Sequence, residues 1–147
     1  MPDSPLVDRV RLVGLRESPL SVGEVLEAVA DPAAGGTAVF VGSVRDEDGG
    51  RPVARLAYSA HPSAADQLAR VAAESARTPG VVAVAAVHRL GDLAVGDLAV
   101  VVAVACGHRG PAFDVGRALI DAVKHEVPIW KHQTFADGSE EWVGAEC

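Results

Sequence analysis

Primary amines are scarce in this chain, which makes their positions informative. Of 13 basic residues, 11 are arginine and two are lysine, Lys124 and Lys131. A lysine amine can lose its proton and act as nucleophile or base, which a guanidinium cannot. A second cation nearby, or desolvation, draws its pKa towards neutrality. Lys124 falls near the end of a predicted helix and Lys131 on the strand beyond Pro128. A helix end, a turn and a strand start can aim two amines into one cleft. Charge alone also accounts for the pair, since helix C-termini favour cations, and an arginine bias of this kind follows equally from a GC-rich genome.

Upstream, His108-Arg109 follows an apolar run and precedes a helix start, with Gly107 and Gly110 on either side. Exposed N–H groups at a helix N-terminus bind anions, and arginine adds bidentate recognition of phosphate or carboxylate. A solvated loop pair is the plainer reading of the same residues. Arg45 ends a predicted strand and opens a loop with Gly49-Gly50, where it can reach a ligand or serve as ordinary surface charge. No Gly-x-Gly-x-x-Gly, Walker loop, Gly-x-Ser-x-Gly or Cys-x-x-Cys is present. His61, His88, His108, His125 and His132 form no tight zinc spacing. Cys106 closes an apolar run and reads as a buried small hydrophobe. Cys147 is terminal, and Trp130 and Trp142 read as packing residues around a final hairpin.

The elements that must position these residues are legible in outline. Val7 to Leu15 reads as a first strand. Ser21-Val-Gly-Glu24 has the form of a capping box, with a helix behind it to about Ala30. Thr37 to Val44 and Val53 to Tyr58 read as strands, and Pro62 to Arg77 as a helix. Val81 to Val87 and Leu98 to Ala105 are continuous apolar runs of the kind found in strands buried on both faces, joined by a turn over Gly91 to Gly96. Pro111 suits the first turn of a helix running to about Glu126, with Val115, Leu119 and Val123 inward. On its wheel Lys124 shares a face with Arg117 and Asp121, beside the core stripe. Ile129 to Phe135 and Glu141 to Val143 read as two strands around Asp137-Gly138. The order β-α-β-β-α-β-β-α-β-β predicts an α+β fold with about three helices and a mixed or antiparallel sheet.

Composition narrows the function. At 147 residues the chain is expected to be one domain, residues 1–147. Its net charge of −7 disfavours general nucleic-acid affinity. Apolar residues make up 49%, enough for a core, yet no apolar run reaches the roughly 18 residues of a membrane span. Met1 to Asp8 carries acid and proline where a signal sequence is basic and then apolar. With only two cysteines, a cytoplasmic protein is expected.

Four stretches together carry a resemblance. They are Gly36 to Arg45 (GTAVFVGSVR), Val87 to Leu93 (VHRLGDL) with Gly96, Gly107 to Phe113 (GHRGPAF), and Lys124 to Lys131 (KHEVPIWK), completed by Gly138 through Trp142. In this order and spacing, over roughly residues 6 to 143, the chain resembles the catalytic (large) subunit of molybdopterin synthase. The Lys-x-x-x-Pro-x-Trp-Lys element with an upstream His-Arg is the specific part. The resemblance implies an α/β hammerhead fold and no resident cofactor or metal. It implies a homodimer of large subunits within a heterotetramer, each binding a small ubiquitin-like sulfur-carrier subunit. That partner's Gly-Gly C-terminal thiocarboxylate would enter a pocket and deliver sulfur to cyclic pyranopterin monophosphate, two transfers making the dithiolene of molybdopterin.

Residue by residue, the resemblance assigns Arg45, His108 and Arg109 to the substrate pocket, with Ser43 and Val44 offering backbone contacts. It assigns Lys124 to the incoming thiocarboxylate and Lys131 to the second lysine the chemistry requires. His132 and Gln133 stand where the family often has Lys-Glu. Leu56 to His61 (LAYSAH) departs from the usual Leu-Glu-Tyr-Glu-Ala-Tyr, and Asp46 to Asp48 is more acidic than usual. Two other classes compete: a non-catalytic anion- or nucleotide-binding α+β regulatory module, and a degenerate scaffold homologue that keeps its partner groove without turnover.

Overall fold

The computed structural model describes residues 6–144. Cys147 and the residues before Leu6 lie outside them. Along the chain run α1 (Leu6–Arg9), β1 (Val10–Arg16), α2 (Val22–Val29), β2 (Gly36–Ser43), β3 (Glu47–Asp48) and β4 (Arg51–Ala60). Then come α3 (Ala64–Ala76), β5 (Val81–Arg89), β6 (Gly91–Ala94), β7 (Leu98–Cys106), α4 (Arg109–Glu126), β8 (Ile129–Phe135) and β9 (Glu140–Val143). Three helices are substantial, and α1 is a single turn. The fold is α+β with mixed pairing, as the element order predicted.

One sheet has the order β1-β5-β7-β2, with β1 parallel to β5 and the other pairs antiparallel. Its inner strands are apolar until His88 and Arg89 at the end of β5, because both faces are covered. Val84, Ala86, Val100, Val102 and Val104 pack towards α3 and α4. The alternate residues, Ala83, Ala85, Val87, Val101, Ala103 and Ala105, pack towards α2 through Val25 and Val29. Small alanines on that side let a helix of only eight residues lie close to the sheet. Ser21 caps this helix, its Oγ accepting from the Glu24 amide at 3.1 Å.

The second sheet has the path β3-β4-β8-β9, with β6 also on β4. Here the structure corrects the expected turn over Gly91 to Gly96. Gly91–Ala94 is a strand, antiparallel to β4 with Leu93 opposite Leu56, and it buries both leucines. The expected first strand also begins later, because Leu6–Arg9 forms a helical turn and Arg9 donates to the Ala76 carbonyl at the end of α3. Helix α4 starts two residues ahead of Pro111, which still falls within the first turn where a missing N–H is harmless.

Candidate active site

β4 and β8 pair with Tyr58 opposite Lys131 and Leu56 opposite Gln133. Opposed residues share a face, and strand side chains alternate. Tyr58, Leu56, Lys131 and Gln133 therefore line one side of a cleft. Lys124, in the last turn of α4, closes it from above the first sheet, and β7 contributes Ala99 and Val100. Ser43, Val44 and Arg45, where β2 runs out, form the opposite wall, with Glu47 and Asp48 at the rim. The cleft encloses about 560 Å³. Arg45 is exposed, whereas both lysines are half-buried. Among the described residues Lys124 makes no ion pair, while Arg117 and Asp121 on the same helix pair with each other at 3.9 Å. Gln133 is buried and donates from Nε2 to Asp48 Oδ2 at 2.6 Å, which ties the acidic rim to the cleft floor.

Beneath the cleft lies a small cavity of about 20 Å³ lined by Tyr58, His88, Lys124 and Lys131 among apolar side chains. His88 is 7% exposed. Its Nδ1 lies 2.7 Å from the Arg89 carbonyl oxygen, and its ring meets Tyr58 edge-on at 4.9 Å. Burial pushes the His88 pKa down to about 4 against the stabilising Arg89 carbonyl, and the Lys124 charge lowers it further. The imidazole is neutral at neutral pH.

Three of the expected site residues are not brought to this cleft. His132 alternates to the other face of β8, where it stacks on Trp142 at 4.4 Å and lies 3.4 Å from Glu140. His108 and Arg109 sit exposed at the opposite end of α4. Fifteen residues of helix separate Arg109 from Lys124, about 22 Å of rise. The backbone there is pressed against β2: a side chain at Gly35 would meet the Gly107 carbonyl oxygen at 2.3 Å. Sequence reasoning passed over His88 and Tyr58 as site residues. The available signal was a histidine completing an otherwise apolar strand.

Comparison with known proteins decides the lineage. The family described as MoaE protein matches residues 15–126. The chain belongs to the MoaE family. It is 44% identical over 131 residues to molybdopterin synthase catalytic subunit 1 of Mycobacterium tuberculosis, covering 88% of each chain. Its fold matches molybdopterin synthase from Staphylococcus aureus with a TM-score of 0.81 and 32% identity, covering 88% of this chain and 95% of the other. The complex of subunits 1 and 2 of molybdopterin-converting factor from Helicobacter pylori shares the fold with a TM-score of 0.67 at 24% identity, over 90% and 87% of the two chains.

Proposed function

We propose that this chain, as one domain over residues 1–147, is a molybdopterin synthase catalytic subunit that moves sulfur onto cyclic pyranopterin monophosphate. The sulfur arrives as the C-terminal thiocarboxylate of a small ubiquitin-like partner whose Gly-Gly tail enters the cleft. The observation that carries this reading is the convergence of the chain's two lysines with Arg45 in one open cleft. Arg45 meets the phosphate and stabilises charge as it develops on departure. Lys124 polarises the thiocarboxylate carbonyl or shuttles its proton, and Lys131 acts as acid or base or holds the pterin. Ser43 and Val44 contribute backbone contacts, and Gln133 fixes the rim. The low cysteine count suits a sulfur supplied by another chain. No helix among the described residues is long and apolar enough to cross a membrane, and the reading assigns the enzyme to the cytoplasm.

A second copy of the chain supplies His108 and Arg109. Val39, Phe40 and Val41 are exposed on the edge strand β2, and Phe113 beside them is 67% exposed. A groove of about 560 Å³ runs between β2 and α4 there. Pairing through this face buries the apolar surface and carries one copy's His108-Arg109 towards the other's cleft. The non-catalytic anion-binding reading rests on His108-Arg109 alone and leaves the lysine cleft without a purpose. The Helicobacter pylori relative in fold was itself solved as a two-subunit complex, which supports the small-partner part of the reading.

The test is turnover with thiocarboxylated partner and pterin substrate. Lys124→Ala is expected to lower molybdopterin formation by roughly 10²-fold or more, the range for loss of a positioned proton-transfer group. Wild-type rates from K124A would remove Lys124 from the chemistry.

A further inference from the structure

His88 occupies a position where the sheet alternation calls for a hydrophobe. It follows Val84 and Ala86 on the face of β5 that packs towards α3 and α4, and it lies opposite Val100. A polar ring in such a row needs its hydrogen bonds satisfied. One is: the Arg89 carbonyl can only accept, so Nδ1 carries the proton and donates to it. In the neutral ring Nε2 is then a lone-pair acceptor, and among the described residues it has no hydrogen-bond partner. The ring borders the cavity of about 20 Å³ that Lys124 also lines. That volume suffices for about one water. The charged and titratable groups facing His88 are Lys124 from α4, Lys131 from β8 and Tyr58 from β4, while β7 presents Val100 and β1 pairs through Leu15.

We infer that His88 is a positioning residue for Lys124: across this one-water cavity its Nε2 accepts a hydrogen bond from the lysine amine and holds it aimed into the cleft. This rests on the reading of Lys124 as the reactive amine and adds what holds that amine in its working state. A hydrogen-bonded acceptor fixes where a flexible amine points, so removing it frees the amine to reorient. The low basicity of His88 fits the role, since a protonated ring would repel Lys124 and could not accept.

Two lysines in the whole chain make the measurement direct. Lysine labelled at 13Cε and 15Nζ gives two side-chain signals from the full-length protein, assigned with Lys131→Arg and compared by NMR. His88→Phe is expected to displace the Lys124 Nζ signal, which loses its acceptor. His88→Gln, whose amide oxygen can accept where Nε2 does, is expected to recover at least half of that shift. An unmoved Lys124 in H88F, or recovery of less than half in H88Q, overturns the assignment. Should H88F not fold, the wild-type imidazole decides. Nδ1 protonated, with an Nε2 shift that moves in Lys124→Ala, supports the inference, and an Nε2–H tautomer or an insensitive Nε2 rejects it. These measurements need neither partner nor pterin. A displaced Lys124 signal in H88F with unchanged kcat/KM would leave the His88–Lys124 link standing and count against Lys124 in sulfur transfer.

Discussion

His88 also couples the site to acid stability. Its folded pKa of about 4 lies below the ordinary 6.5, because burial and the Lys124 charge oppose protonation. Between these values the unfolded chain binds the extra proton, so stability rises with pH. The contribution is fully present above pH 6.5 and is lost as pH falls towards 4, about 3 kcal/mol in all. Urea unfolding of wild type and H88Q at several pH values is expected to show this difference in slope, confined to that window. Parallel curves would show that the ring does not titrate on unfolding. Much of the site was legible at this scale, and for a stated reason. Lys124 and Lys131 stood out because the chain uses arginine elsewhere, and the structure places both on one cleft. His132 stands apart from the cleft for a reason that matching a motif by position does not see: the two-residue period of a strand sends His132 to Trp142 and Gln133 to the cleft.

Among the elements, strong local signals survived and non-local pairing did not. The Ser21 cap was readable because its oxygen and the Glu24 amide lie within one turn, although the Glu24 carboxylate pairs with Arg16 and does not return to Ser21. Ser21→Ala is expected to cost about 1 kcal/mol in denaturant unfolding, with little effect on turnover, since α2 packs on the sheet face away from α4 and its lysine. A loss of turnover larger than the loss of stability would show that α2 transmits to the site. By contrast, β6 has four residues and one inward apolar side chain, Leu93. Nothing in so short a segment announces a strand. It becomes one because Leu56 on β4 offers a partner from far away in sequence. The same applies to the cleft itself. Its walls come from β2, β4, β7, α4 and β8, and only register across two sheets brings them together.

For the whole molecule, a net charge of −7 coexists with a cationic cleft, and the remaining cations of the motif sit at the far end of α4. If a second copy supplies His108 and Arg109, each active site draws on two chains, and defects in different parts should complement. Lys124→Ala removes one chain's amine, and Arg109→Ala removes what that chain lends to its neighbour. Each variant alone gives a homodimer with two defective sites. After dissociation and random reassociation of equal amounts, half the dimers are mixed. Each mixed dimer holds one site lacking both residues and one site that is complete. About a quarter of all sites are then intact, as two-fold symmetry requires. Molybdopterin formation by the reassociated mixture is expected to reach about a quarter of the wild-type rate per chain, against near-background rates for either variant. A Phe40→Asp change on both chains, placing charge on the exposed apolar strand, is expected to abolish this recovery by preventing pairing. Recovery no greater than the sum of the two variants, in mixtures shown to contain mixed dimers, would place Arg109 outside the neighbour's site and confine the chemistry to the residues of a single chain.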